Sequence, residues 1–350
     1  GLGDVYKRQA ITPLWLRDVN ISPDGKEIVF CYKGDIYKVK AAGGEAVRLT
    51  SQDSYESNPV WSPDGKQIAF ASDRFGNFDL FIMPADGGTA KRLTMNSASE
   101  IPSTFTPDGK YVVFSASIQD PASSALFPKS GMTELYKVPV AGGRTQQMLG
   151  TPAEMVCYAP SGDFFLYQDQ KGVESEWRKH HTSSITRDVW MYDTKTGKHT
   201  NLTEVAGEDR NPVLSPDGKQ VYFLSERNGG SFNVYRFPLD NPKEIQPVTS
   251  FKTNPVRFLS MGNDGTLCYT YDGEIYTQPV DGKPKKVAVS LVRDDEELPV
   301  SYSFTRGASE AVVSPDGKQV AFIVRGEVFV TSVESVSYTH LRAHETCADL

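Results

Sequence analysis

The chain has 350 residues, room for one large domain or two smaller ones, and a formal charge of −7. A mildly acidic sequence without a basic stripe argues against nucleic acid as the main partner, and no apolar run is long enough to span a membrane as a helix. Of the 4 cysteines, Cys347 falls in a terminal stretch set aside below, while Cys31, Cys157 and Cys268 stand far apart in strand-like contexts and read as separate buried thiols, not a disulfide framework or metal site.

In chain order, residues 1–9 (GLGDVYKRQ) break the pattern that follows. Like residues 335–350 at the other end, they resemble translated sequencing adapter, so both stretches are read as non-native and kept out of the fold. The chain does not begin with methionine and is read as a fragment. From residue 10 onward it repeats itself. ISPDGKEIVF at 21–30 returns as WSPDGKQIAF at 61–70, LSPDGKQVYF at 214–223 and VSPDGKQVAF at 313–322, with a further copy around Asp108. Degenerate copies stand at APSGDFFLY (159–167) and GNDGTLCYT (262–270).

Each copy reads as strand, turn, strand. Pro63 presets φ at the second position of a type I turn, and Gly65 takes the positive φ that strains other residues. Ile68 and Phe70 then alternate with smaller or polar residues, the period of a strand with one face more deeply buried. These motifs are expected to be structural, with little direct chemistry.

A third strand follows each hairpin (GDIYKV, FDLFIMP, TELYKVPV, RDVWMYD, FNVYRFPL, GEIYTQPV). A glycine turn and a short fourth strand come next, as in GGEAVRLT, GGTAKRLT and TGKHTNLT, and the strand before the turn recurs as SNPVWS, RNPVLS and TNPVRFLS. Successive markers lie about 40 to 56 residues apart, the range of propeller blades. The pattern predicts an all-β fold: a six-bladed β-propeller of four-stranded antiparallel blades over residues 10–291, each blade covering a face its neighbour cannot bury alone. The first unit starts with its own innermost strand, LWLRDVNIS, so the ring is expected to close without exchanging a strand, held by packing of the first blade on the last. Residues 292–303, acidic and without strand pattern, read as a linker. Residues 304–334 read as the truncated first blade of a second propeller, stopping after its third strand.

The repeat resembles the TolB-type propeller repeat. The segment KGVESEWRKHHTSSITRDVWMYD, residues 171–193, narrows the choice, because it is similar to an insertion in the first propeller of tricorn-type serine peptidases. PLWLRDVNISPDGKEIVFCYKGDIYKV and TRGASEAVVSPDGKQVAFIVRGEVFV are similar to that family's first blade and to the start of its second propeller. The resemblance covers about residues 11–334. It implies a parent protein with two propellers ahead of a PDZ-like domain and a peptidase core, acting on oligopeptides, self-associating, and cytoplasmic; a periplasmic or secreted location stays open because the native start is missing. No Gly-x-Ser-x-Gly elbow occurs, and His180, His181 and His199 have no recognisable nucleophile partner, so no catalytic residue, cofactor or metal is assigned. The alternatives left open are a non-catalytic TolB-like protein-binding propeller and the propeller of a prolyl-oligopeptidase-like enzyme. A sialidase-type turn does not fit, since Asp and Gly are adjacent in every clear copy, and no Asp-x-Asp-x-Asp-Gly calcium loop is present.

The two longest departures from the repeat, residues 117–132 and 168–187, both join second to third strands in adjacent blades and should meet at one mouth of the ring. The second carries Trp177, Arg178, Lys179, His180, His181 and Arg187, an aromatic group among several cations. This cluster is the candidate contact for a peptide carboxylate or for a neighbouring domain. The adjacent histidines are a poor metal pair, because successive strand side chains point to opposite faces.

Overall fold

Each Ser-Pro-Asp-Gly segment closes its hairpin with the same set of bonds. In the second copy the Gly65 N–H donates to the Ser62 carbonyl at 2.9 Å, the Ser62 hydroxyl donates to Asp64 at 2.6 Å, and the Gln67 N–H returns to the Ser62 Oγ at 2.9 Å. Gly65 sits at φ 69°, as the turn requires. The Ser62 hydroxyl and the Lys66 N–H hold the Asp64 carboxyl below its ordinary range. The computed structural model describes residues 9–118, 132–172, 183–227, 230–293, 308–324, 327–333 and 338–339, and no α-helix occurs among them.

The chain divides into two units, Ile11–Leu291 and a second made of Gly1–Ala10 with Val292–Leu350. The first contains six four-stranded antiparallel sheets, each built from strands in sequence order. Blade 1 is Arg17–Ile21, Glu27–Tyr32, Asp35–Lys40 and Val47–Arg48. Blades 2 to 6 run from Glu56–Trp61 to Lys91–Arg92, Glu100–Phe105 to Gln146–Leu149, Ala153–Tyr158 to His199–Asn201, Asp209–Leu214 to Gln246–Pro247, and Arg257–Met261 to Lys285–Lys286. The first strands contact one another all the way round, with Arg17–Ile21 meeting Arg257–Met261 to complete a ring.

The core consists of clusters lying between neighbouring blades. In the strand Glu27–Tyr32, Ile28, Phe30 and Tyr32 pack with Cys268 and Ile275 of blade 6, whereas Val29 and Cys31 pack with Ile68 and Phe70 of blade 2. The period-two alternation therefore sorts one strand's side chains between two interfaces. The same holds for blades 2–3, 3–4, 4–5 and 5–6. The second unit contains a further four-stranded sheet, Ala308–Val313, Gln319–Val324, Glu327–Ser332 and Tyr338–Thr339. Its Val313 is 58% exposed where the matching Trp61, Phe105 and Leu214 are 7%, 2% and 8% exposed. That sheet also has a two-residue fourth strand, Tyr338–Thr339, paired with Val330–Thr331, where the sequence reading ended the unit at its third strand. Two backbone pairs demand little of side-chain chemistry, so sequence pattern is a poor guide to them.

Two features were not foreseen. The ring closes by more than packing: Val289 and Ser290 run parallel to Gly44 and Glu45, with the Gly44 N–H donating to the Ala288 carbonyl and the Ala46 N–H to the Ser290 carbonyl, both at 2.8 Å. Val287, Val289 and Leu291 bury their side chains in the cluster shared by blades 1 and 6. The first strands are also bulged at a matching register, with Asp18, Asn58, Met155, Asn211 and Phe258 at positive φ between 50° and 57°. The bulge frees the side chain of Asn211 to reach the next blade, where it accepts from the Leu259 N–H at 2.9 Å and donates to the Leu259 carbonyl at 3.0 Å.

Candidate functional site

At the rim where second strands turn into third strands, the blades differ sharply. Blades 1 and 6 turn in two residues: Lys33 and Gly34 at φ 54° and 83°, Asp272 and Gly273 at φ 55° and 73°, the left-handed pairs that tight hairpins favour. Blades 3 and 4 carry the long segments instead. Their bases are joined, since the Thr133 N–H donates to Gln170 Oε1 at 2.6 Å and the Thr133 hydroxyl donates to Glu154 Oε1 at 3.1 Å. The expected meeting of the two segments at one mouth therefore holds at their roots. Trp177, Arg178, Lys179, His180 and His181 lie outside the described residues.

Arg187 is described, and it is buried. Its Nε donates to Glu154 Oε2 at 3.3 Å and its Nη1 to Glu208 Oε1 at 3.1 Å, which links blade 4 to the entry of blade 5. Gln168 extends the network, donating to Glu154 Oε2 at 2.9 Å and accepting from the Asn211 N–H at 2.9 Å. Beside it opens a cleft of about 760 Å³ whose lining includes Lys171, Thr186, Asp188, Trp190, Asn201 and Glu204. Lys171 spends its ammonium on Asp188 Oδ2 at 2.6 Å, the Thr186 carbonyl at 2.8 Å and Asp169 Oδ2 at 3.5 Å. Burial pushes the Asp169 carboxyl above its ordinary range, with the Asp188 N–H and Lys171 opposing the shift and the Asp188 charge adding to it.

The same rim buries a carboxylate at the start of several first strands. Glu56, Glu100 and Asp209 are each fully buried, and Glu56 and Asp209 are answered by Arg74 at 3.3 Å and Arg227 at 2.8 Å. Glu100 has no close hydrogen bond on either oxygen. Burial pushes its carboxyl up to about 7; Thr94 and Arg92 offset only part of this, and Asp79 adds to it. A folded-state value above the unfolded one means that the folded protein holds the extra proton, so stability falls as pH rises from the ordinary glutamate range through about 7. Glu100→Gln is expected to melt like the parent at pH 4.5 and to be more stable at pH 8 by about 1–3 kcal/mol. Thermal melts across that range check it, and parallel curves for the two proteins would refute it.

These rim carboxylates were not singled out from sequence. Their signal was present, because Glu56, Glu100 and Asp209 open ESNPVW, EIPSTF and DRNPVL at the same register. Elsewhere the chemistry is quiet. His199 Nδ1 lies 2.8 Å from the Tyr167 hydroxyl, and burial lowers its pKa. The thiols of Cys31, Cys157 and Cys268 are unbridged, and burial pushes Cys157 up to about 11. Among the described residues no group of three or more His, Cys, Asp or Glu is placed to hold a metal ion, and no helix is long and apolar enough to cross a membrane.

Comparison with known proteins accords with this architecture. The tricorn protease of Thermoplasma acidophilum is 21% identical over 336 residues, covering 94% of this chain and 30% of that protein. A crystal structure of the tricorn protease matches with a TM-score of 0.66 at 22% identity, over 94% of this chain and 31% of that one. TolB from Acinetobacter baumannii matches with a TM-score of 0.58 at 19% identity, over 78% of this chain and 64% of that one. The chain thus spans less than two thirds of each of these relatives, and the structural likenesses establish the shared propeller fold. The family model described as the tricorn protease N-terminal beta propeller domain matches residues 13–283, nearly the whole six-bladed ring, and the chain belongs to that family.

Proposed function

We propose that this chain is the substrate-handling propeller of a larger tricorn-like serine peptidase that degrades oligopeptides, with the nucleophile and its base supplied by other parts of the protein. The observation that carries the reading is the rim of blades 3 and 4. Two long segments have their roots tied there through Thr133, Gln170 and Glu154, while blades 1 and 6 stay short. A ring built asymmetrically at one mouth suits a scaffold that receives or releases chains on that side. Trp177, Arg178, Lys179, His180 and His181 then meet a peptide carboxylate or dock a neighbouring domain of the parent chain, with Arg187 holding the base of the segment. The sheet at Ala308–Ser332 begins a second ring, a reading supported by the exposure of its Val312 and Val313.

The complete protein with Arg178, Lys179 and His181 replaced by Ala is expected to fold normally, and either to lose about tenfold in kcat/KM for oligopeptides or to change its oligomeric size. Unchanged kinetics together with unchanged assembly would overturn the role of the segment. A complete gene without a peptidase core would favour a TolB-like protein-binding propeller instead.

A further inference from the structure

We propose that Glu100 is a proton-operated latch on the crossing between blades 2 and 3: neutral, it lies buried and keeps residues 94–99 shut against blade 2, and ionised, it moves out to water and the crossing opens. Three equivalent positions point to it. Glu56, Glu100 and Asp209 each open a first strand, and each is paired in register with one residue of the second strand: Ser72, Ala116 and Ser225. In blade 2 the Ser72 hydroxyl donates to Glu56 at 2.9 Å, and Arg74, two residues on, meets it at 3.3 Å. In blade 5 Arg227 stands in the same place and meets Asp209 at 2.8 Å. Blade 3 has Ala116 for the serine and Ile118 for the arginine, so its second strand offers the carboxylate neither a hydroxyl nor a charge.

The surroundings do not make up the loss. Glu100 is fully buried, and among the described residues neither of its oxygens has a hydrogen bond. The charged groups that act on it are Asp79 and Arg92 of blade 2. Arg92 is committed to Asp79 Oδ2 at 2.7 Å, while its buried Nε and the Asp79 Oδ1 are left without partners. Arg74 is taken by Glu56, and Glu134, on the third strand of blade 3, accepts from Tyr136 at 2.6 Å and from Gln147 at 2.8 Å. Among the described residues one guanidinium thus serves two carboxyl groups, and the junction is neutral only while Glu100 keeps its proton. The element able to yield is the crossing. It holds to blade 2 through the Leu80 N–H to Thr94 Oγ1 bond at 2.9 Å and the Asn77 side chain, which donates to the Asn96 and Ala98 carbonyls at 2.9 and 3.0 Å. Its Met95 is 78% exposed. Opening there also reaches the root of the long segment of blade 3, because Ala116, opposite Glu100, adjoins Ser117, whose hydroxyl donates to the Met132 carbonyl at 3.1 Å.

Amide hydrogen exchange on the whole chain tests this, with the parent and Glu100→Gln compared at the same pH so that the intrinsic pH dependence of exchange cancels. The informative N–H groups are those of Leu80, Ala98 and residue 100, which bond to Thr94, Asn96 and Phe78. At pH 4.5 the two proteins should exchange alike at these positions, within about twofold. At pH 8 the parent should exchange about ten- to hundredfold faster there, and that exchange should respond little to low urea, the mark of a local opening. Ala116→Ser combined with Ile118→Arg supplies the missing partners and should remove most of the pH 8 difference; if that variant does not fold, Glu100→Gln decides alone. The proposal fails if parent and Glu100→Gln exchange alike at pH 8, which would mean that Glu100 is paired in solution. It fails equally if exchange at the three positions rises with urea as steeply as in the core strand Gln220–Ser225, which would leave Glu100 a contributor to overall stability only.

Discussion

Val289→Asp is expected to lower the stability of the ring by about 3–5 kcal/mol, among the largest effects of any single substitution in the chain. Val289 is 6% exposed in the cluster that joins blade 1 to blade 6, among Val39, Ala46 and Ile275. A carboxylate placed there is unpaired and must either neutralise or drag its strand into water. The strand is the one that lies parallel to Gly44 and Glu45, so its departure also releases the bonds of Gly44 and Ala46 to residues 288 and 290. Blades 1 and 6 would keep the Ile21 N–H to Ser260 Oγ bond at 3.1 Å, the Asn263 N–H to Pro23 carbonyl bond at 2.8 Å, the Leu16 N–H to Gly273 carbonyl bond at 2.9 Å and the packing of Ile28 and Phe30 on Cys268 and Ile275, so the ring is weakened at the seam and not opened outright. Hydrogen exchange should show early loss of protection at Gly44 and Ala46, with a lower denaturation midpoint. Val47→Asp is the control: Val47 lies in blade 1, three residues from the Gly44 that Val289 pairs with, but is 58% exposed, and its change should stay within about 0.5 kcal/mol. Equal stability of the two variants would mean that the 287–291 segment does not hold the ring.

Arg187→Met should cost about 2–4 kcal/mol despite conserving most of the side-chain volume. The reason is what remains behind. Glu154 and Glu208 lose the guanidinium that bridges them, and among the described residues Glu208 is left with the longer ion pair to Arg210 at 3.6 Å. Removing one member of a buried charge network strands the others, whereas removing both sides together is far milder. The double variant Arg187→Met with Glu208→Gln should therefore recover a large part of the loss, and a double-mutant cycle by urea denaturation measures the coupling. An Arg187 whose main work was to meet peptide would give the opposite pattern, with weakened substrate handling and no change in denaturation midpoint.

The candidate site was half legible in the sequence. That segments 117–132 and 168–187 should rise from the same mouth followed from blade order alone, because consecutive blades repeat one sheet and place equivalent turns on one rim. Arg187 was legible as a cation in the right segment, but its burial between Glu154 and Glu208 was not. Those partners lie 33 and 21 residues away in sequence; the folding of blade 4 brings Glu154 to it, and the packing of blade 5 against blade 4 brings Glu208. The cleft was invisible for the same reason, since Lys171 and Asp188 come from the two ends of a long segment, Asn201 from a strand and Glu204 from a crossing. The bulges at Asn58 and Asn211 had a faint local signal, as asparagine tolerates the left-handed region, but Met155 and Phe258 at the equivalent positions had none.

What the sequence settled by itself was local and repeated. Turn chemistry at Ser-Pro-Asp-Gly and the two-residue alternation of the following strand are short-range effects of backbone sterics and side-chain direction, and four exact copies with three looser ones made them unmistakable. Tertiary structure alone decided how the ring shuts and where its charges are hidden. Both depend on residues far apart in the chain whose pairing energy exists only once the blades have come together: the strand at Val289 beside Gly44, and the guanidinium of Arg187 between two carboxylates.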